Sequence, residues 1–304
     1  MSFEFLISKI QKNNFLLIGR AGIDIYPDPP GTKTENAKSF VTHLGGSSAN
    51  MGVQLTLFGG NCNLLTRVSD DALGKLAINQ LNHYGVKNKL VEFEKNESRI
   101  SFAIVETTIK DHQSIIYRHK ASDLFLNNDD IENANIQNFD CVLITGTSLA
   151  AEPSRGATLY ALDIANKNNI PVIMDIDYRP YTWESSNKAK EVYNLAASKC
   201  SGVIGNDDEF GVLAGDYKNG LDHARQLAKN VSLIIYKKGE KGSITFAMNK
   251  VIKKGIFPVK PLKPTGAGDA FMGSLIGSIL KTNDLEKSIE IGSAAAAIVV
   301  TKVG

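Results

Sequence analysis

Tryptophan occurs once, cysteine three times and histidine five times in 304 residues. Cys62, Cys141 and Cys200 lie far apart and form no C-x-x-C pair. That spacing excludes a zinc framework and suits a reducing compartment. Each cysteine sits in or beside an apolar segment, the setting of a buried thiol. The histidines show no metal-ligand spacing. No run approaches the ~18 apolar residues of a membrane span. Residues 1–14 carry Glu4 and Lys9 and lack a long apolar core, so they do not read as a signal peptide. A cytoplasmic protein without a membrane partner is expected. The net charge is +2, and no basic run is interleaved with aromatics, so a nucleic-acid partner is not expected. Three familiar phosphate schemes are also absent. There is no G-x-x-x-x-G-K-[ST] loop, no dinucleotide fingerprint (Phe271 stands where its third glycine would be) and no protein-kinase signature set.

What is present is an ordinary globular composition, 43% hydrophobic and 22% charged, in a chain long enough for one large α/β domain. From Cys141 onward, apolar strands alternate with helical patterns. Strands are expected at 141–145, 172–175, 202–205 and 233–237, and helices at 154–168, 188–198 and 222–229. This alternation predicts a mostly parallel sheet covered on both faces by helices. A hairpin follows at 243–256, then helices at 268–280 and 285–300. Earlier in the chain, 15–18 and 62–68 read as strands, 51–58 as a helix that Ser47 or Ser48 can cap, and 71–84 as a helix stopped by Gly85. Residues 101–107 and 114–117 break the alternation. They read as two strands joined by a polar turn at Lys110-Asp111-His112-Gln113, part of a small β-lid. No internal repeat or low-complexity linker divides the chain.

The chemistry gathers in four places. The first is Lys263-Pro264-Thr265-Gly266-Ala267-Gly268-Asp269, directly before a helical run. Glycines let the backbone present its N–H groups, and the helix adds orphan amides and the positive end of its dipole, so an anion fits there. The bland alternative is a Gly-rich turn with an acidic first-turn residue. The second place is Asp24, just past the first strand, with Gly45-Gly46 and Asn50 ahead of a helix. These offer close backbone approach and polar groups for a ligand, against the alternatives of a turn aspartate at 24 and a plain capped loop at 45–50. The third is Asp175-Ile176-Asp177-Tyr178-Arg179, at a strand end. It can serve a phosphate, a carboxylate or only an internal salt bridge. The fourth is Asn206-Asp207-Asp208-Glu209, followed at the next strand end by Lys238-Gly239-Glu240-Lys241-Gly242. Amide and carboxylate oxygens suit Mg²⁺ held partly through water with a nucleotide; a plain acidic first turn and a hairpin are the alternatives. Together these groups sit at the ends of successive strands, and the joint pattern favours phosphoryl transfer from a Mg-nucleotide to a small polar acceptor.

These residues closely resemble the ribokinase-like (PfkB-type) carbohydrate kinases. Gly45-Gly46 with Asn50 looks like the N-terminal signature of that family, and Pro264-Thr265-Gly266-Ala267-Gly268-Asp269 like its C-terminal one. Asn206 with Glu209 is similar to its N-x-x-E motif, and Lys238-Gly239 to Gly242 to its nucleotide turn. The match spans nearly the whole chain. It implies one kinase domain over 1–304, with lid segments at about 24–44 and 99–120. Within the family, Gly19-Arg20, Tyr117-Arg118, Thr145-Gly146-Thr147 and Asp175 to Pro180 with Trp183 are most similar to members acting on sugar acids. The resemblance implies ATP-dependent phosphorylation of 5-dehydro-2-deoxy-D-gluconate to its 6-phosphate in myo-inositol catabolism. The alternatives are 2-keto-3-deoxygluconate, fructose or ribose as acceptor, or a non-catalytic sugar-binding protein.

The implied roles follow the motifs. Asp269 is the base, and Gly266, Ala267 and Gly268 form the anion hole. Asp24, Gly45, Gly46 and Asn50 hold substrate hydroxyls, and Arg118, Arg179 or Arg20 pairs with an acid's carboxylate. Asn206, Lys238, Gly239, Gly242 and Gly268 meet the nucleotide, and Glu209 with Asn206 organises Mg²⁺ through water. A homodimer through the lid is implied as well. Lys263 stands where many members carry an aspartate of a monovalent-cation site, which leaves a K⁺ requirement open. If Gly304 is the natural end, part of the adenine or cation site of the relatives is missing.

Overall fold

The computed structural model describes residues 1–304 except 96, 109, 110, 112, 264 and 304. Lys110 and His112 of the expected lid turn, Pro264 of the Gly-rich stretch and Gly304 therefore lie outside the described residues. The chain opens with helix α1 (Phe3–Ile10), strand β1 (Phe15–Ile18), β2 (Gly22–Asp28), β3 (Ser39–Gly45), α2 (Ser47–Leu57), β4 (Cys62–Ser69), α3 (Ala72–His83) and β5 (Lys87–Glu94). Next come β6 (Phe102–Val105), β7 (Ser114–Tyr117), α4 (Asn128–Asn133), β8 (Cys141–Thr145), α5 (Ser154–Lys167), β9 (Val172–Asp175), α6 (Ser186–Ser198), β10 (Gly202–Asn206), α7 (Asp207–Ala214), α8 (Gly220–Leu227) and β11 (Leu233–Lys237). The chain closes with β12 (Ser243–Ala247), β13 (Lys250–Lys254), α9 (Ala267–Thr282) and α10 (Leu285–Val299).

Nine strands form one sheet in the order β13-β12-β11-β10-β9-β8-β1-β4-β5. The strands from β11 to β5 run parallel, and β12 and β13 add an antiparallel edge. Successive side chains of a strand point to opposite faces, so each parallel strand feeds two cores. Leu16 and Ile18 join Val142, Ile144, Val172 and Met174 beneath α5 to α8. Phe15 and Leu17 join Leu64, Leu143 and Ile173 beneath α1, α2, α3, α9 and α10. Burial on both faces is why these strands read as unbroken apolar runs. β1 has β4 on one side and β8 on the other, so the strand order reverses there. The C-terminal ends around that reversal open the crevice in which α/β sheets bind ligands.

A second sheet of four strands, β3-β2-β6-β7, stands beside the first. It is built from the two segments expected to form a lid, but with more strand than the sequence shows. Asp24 does not lie in a turn: it sits within β2, opposite His43 of β3. The run containing Ile23, Ile25 and Tyr26 is β-prone enough to pair along its whole length, in spite of Pro27. Helix α1 also escapes the sequence reading, because its eight residues are shorter than the window over which helical periodicity is read. It is held by Ser2, whose side chain accepts from the Phe5 amide, and by burial of Leu6, Ile7 and Ile10.

If both faces of β1 are core, Leu16→Ala and Leu17→Ala should each cost about 2–5 kcal/mol in urea unfolding. Val251→Ala, on a residue 58% exposed in the edge hairpin, should stay within about 0.5 kcal/mol. A large loss at only one of the two leucines would contradict the two-faced core.

Candidate active site

The N-terminus of α9 faces the crevice. Gly266 is its N-cap, in the left-handed region at φ 83°, with no side-chain cap. A Cβ there would be strained, and the amides of the first turn lack helical acceptors. Asp269 stands in that first turn, where Asn50 Nδ2 donates to its Oδ2 at 3.0 Å. Burial, then the charge of Asp177, pushes the Asp269 carboxyl up to about 7 against the pull of Asn50. Asp269, Asn50, Asp24, Gly266, Tyr26 and Lys263 are among the residues lining a cavity of about 200 Å³. A carboxylate with a near-neutral pKa beside a set of free amides can take a proton next to a bound anion.

β2 and β3 build the cavity's other wall. Burial raises the Asp24 carboxyl although Arg20 and Lys263 oppose it. A Cβ on Gly45 would fall 2.2 Å from Asp24 Oδ1, and one on Gly46 2.4 Å from the Arg20 carbonyl. Both glycines are therefore dictated by close packing of the two strand ends. Gly46, at φ 94°, is also the N-cap of α2, which corrects the expectation that Ser47 or Ser48 caps that helix. The two serines are buried in its first turn. Ser48 Oγ lies 3.2 Å from the Ile18 carbonyl, to which it donates, and 3.0 Å from Thr145 Oγ1. Under the sheet ends, these hydroxyls serve tertiary contacts in place of the cap.

The strand ends β9, β10 and β11 bring a second set of groups. Asp177, at φ 40°, is a non-glycine residue in the left-handed region, a strained state that persists only where surroundings enforce it. Arg179 Nη2 holds its Oδ1 at 2.7 Å. Burial would raise the Asp177 carboxyl, but Arg179 brings it below its ordinary value. Asn206 and Glu209 share one capping box: Asn206 N donates to Glu209 Oε2 at 2.7 Å, and Glu209 N to Asn206 Oδ1 at 2.9 Å. The Tyr178 amide donates to Glu209 Oε1 at 3.3 Å. Burial pushes Glu209 up to about 7. Asp175 Oδ1 and Asp177 Oδ2 are buried without hydrogen-bond partners among the described residues. Orphaned hard oxygens of this kind fit a divalent cation.

The remaining expected residues lie further out. Arg20 Nη1 donates to Ser101 Oγ at 3.1 Å. Arg118 is buried, with Nε donating to Asp123 Oδ2 at 2.9 Å and Nη2 to the Thr147 carbonyl at 2.9 Å. It lines a separate cavity of about 660 Å³ with Phe102, Tyr117 and Tyr181. Its Nη1 is buried without a partner. Lys238, Gly239 and Gly242 form the β11–β12 turn, closed by a 2.7 Å bond from Lys238 N to the Gly242 carbonyl. A Cβ on Gly242 would meet the Lys254 carbonyl at 2.0 Å, so the hairpin itself demands this glycine. The motifs miss Lys237, the last residue of β11, whose Nζ lies 3.7 Å from Asp175 Oδ1. A lone lysine ending the apolar strand Leu233–Lys237 was the available signal.

A Gly-rich amide loop at a helix N-terminus, with a half-buried carboxylate against it in the crevice of a parallel sheet, is a site where an anion and a proton acceptor meet. The chain belongs to the pfkB family of carbohydrate kinases, whose sequence pattern matches residues 12–304. It is 35% identical over 292 residues to a 5-dehydro-2-deoxygluconokinase of Photobacterium profundum, covering 94% of this chain and 88% of that protein. A protein of the same name from Geobacillus kaustophilus is 33% identical over 294 residues, covering 95% of this chain and 88% of the relative. Among solved structures, a fructokinase double mutant of Vibrio cholerae with fructose, ADP and potassium bound superposes with a TM-score of 0.82 at 21% identity, covering 96% of this chain and 94% of that one. A PfkB protein of Polaromonas gives 0.83 at 20% identity, with 96% and 97% covered. No helix among the described residues is long and apolar enough to cross a membrane.

The raised Asp269 carboxyl has a consequence for stability. A group with a folded pKa of about 7 and an unfolded one near 4 favours the native state below pH 4. That advantage is lost as the pH rises toward 7, because the buried charge must then form. Asp269→Asn removes the charge, so at pH 8 it should be more stable than the parent by on the order of 2 kcal/mol, with the gap closing toward pH 4. Urea unfolding at both pH values checks this; equal stability at pH 8 would contradict the burial argument.

Proposed function

We propose that the protein transfers the γ-phosphoryl group of ATP to a hydroxyl of a sugar acid, 5-dehydro-2-deoxy-D-gluconate, giving the 6-phosphate in myo-inositol catabolism. The observation that carries the reading is Asp269, half-buried with a carboxyl pushed up to about 7 and hydrogen-bonded to Asn50, in the first turn of α9. The relatives named 5-dehydro-2-deoxygluconokinase support the acceptor.

In this reading Asp24 and Asn50 orient the acceptor's hydroxyls, and Gly45 and Gly46 let the backbone approach it. Asp269 takes the proton from the attacking hydroxyl as its oxygen bonds to phosphorus and the bond to ADP breaks. The amides of Gly266, Ala267 and Gly268 hold the charge on the transferred group. The β11–β12 turn, with Lys238, Gly239 and Gly242, lies along the nucleotide. Mg²⁺ bound with the nucleotide would be held through water by Glu209 and Asn206, and would neutralise phosphate charge. Among the three arginines, Arg118 is the best seat for the acceptor's carboxylate, because its Nη1 is buried and unpartnered while Arg179 is taken by Asp177. The sheet β3-β2-β6-β7 would act as a lid that keeps water from the phosphoryl group. Exposed Phe40, Val41, Ile115 and Tyr117 on it fit a homodimer contact. Lys263 is buried, with Nζ donating to Tyr26 Oη at 3.0 Å, so the cavity carries its own cation; assays with and without K⁺ tell whether it replaces the ion.

ADP release from Mg-ATP should be fastest with 5-dehydro-2-deoxygluconate in a panel including 2-keto-3-deoxygluconate, fructose and ribose. Asp269→Asn should lower kcat about 10³-fold and spare acceptor binding. Arg118→Met should raise KM about tenfold for the acid and leave a neutral sugar unaffected. Preference for a neutral sugar would sink the acceptor assignment, and near-parent activity of the Asn variant would sink the base.

A further inference from the structure

Lys237 belongs to none of the motifs, yet its ammonium stands at the phosphoryl end of the crevice. The side chain is 18% exposed, and its Nζ lies 5.9 Å from the centre of the Phe271 ring. A Cβ on Gly268 would lie 3.5 Å from that Nζ. Gly268 is the second residue of α9. A helix N-terminus is its positive end, and lysines are favoured at the opposite end. Here a cation is packed against the first turn, so two positive groups face the same spot. The nearest carboxylate, Asp175, is 3.7 Å away, beyond hydrogen-bond length, and its Oδ1 has no hydrogen-bond partner among the described residues. The two form an ion pair without a hydrogen bond, which leaves the ammonium's N–H donors to a further acceptor. Burial would lower the Lys237 pKa, but Asp175, Glu209 and Asp269 raise it, so the group is an ammonium. An anion lying between the helix amides and Nζ resolves the arrangement.

We propose that Lys237 is a catalytic residue whose ammonium contacts a non-bridging oxygen of the γ-phosphoryl group, alongside the amides of Gly266, Ala267 and Gly268. The inference rests on the kinase reading above. Lys237 gives up no proton: while the acceptor oxygen bonds to phosphorus and the bond to ADP breaks, it holds charge on the moving group, and Asp269 alone takes the hydroxyl proton. Because ADP lacks that group, Lys237 discriminates between ATP and ADP.

The test compares the parent with Lys237→Met, using Lys237→Gln as a second variant that keeps a polar group should the first fail to fold. Calorimetry gives the affinities for ADP and for a non-hydrolysable β,γ-imido ATP analogue, and ADP release gives kcat and the acceptor KM. The expected result is ADP affinity within threefold of the parent, analogue affinity down about tenfold, acceptor KM unchanged and kcat down about 100-fold. Lys237→Arg should recover part of kcat. Equal weakening of both nucleotides with a lowered melting temperature would make Lys237 a structural counterion and overturn the proposal. So would an unchanged kcat in a parent that turns over. A parent that binds no nucleotide and releases no ADP would overturn the kinase reading, and this proposal with it.

Discussion

The structure depends on gathering four carboxylates in one place, with Asp175, Asp177 and Glu209 buried and Asp269 half-buried. Their surroundings drive them apart. Arg179 holds Asp177 below its ordinary range, whereas burial carries Glu209 and Asp269 up to about 7. A buried charge is tolerated only where partners answer it. Here the answers come from Arg179, backbone amides and the positive end of α9. A site arranged this way holds groups in the neutral range, where proton transfer is most effective.

The parallel sheet makes that burial possible. Strands covered on both faces end together, so polar residues following β9, β10 and β11 meet at one edge with apolar layers behind them. Close packing sets the rest of the geometry. Gly45 against Asp24 and Gly46 against the Arg20 carbonyl leave no space for a side chain, which fixes the wall of the cavity opposite Asp269. The strain at Asp177 is retained because Arg179 grips its carboxylate.

Much of this was legible in the residues. The strands at 141–145, 172–175 and 233–237 coincide with β8, β9 and β11, because strands buried on both faces leave unambiguous apolar runs. The Gly-rich stretch before α9 was legible because glycine and an acidic first turn are local signals. Other features were not. Ser47 and Ser48 look like caps, but burial under the sheet ends turns their hydroxyls elsewhere. Asp24 looks like a turn residue, but pairing with β3 draws it into a strand. Arg118 looks like one arginine among three until Asp123 and the Thr147 carbonyl leave a single nitrogen free.

Element type, sheet class and the Gly-rich start of α9 follow from neighbours within one or two turns of chain, so the amino-acid order alone carries them. The site's electrostatics do not. Asn50 meets Asp269 across 219 positions, and Lys263 meets Tyr26 across 237. Lys237 gains its meaning only when β11 is laid beside β10 and α9 is folded over both. A pKa, an orphaned oxygen or a misplaced cation is a property of distance and dielectric, and these exist only once the chain has closed on itself.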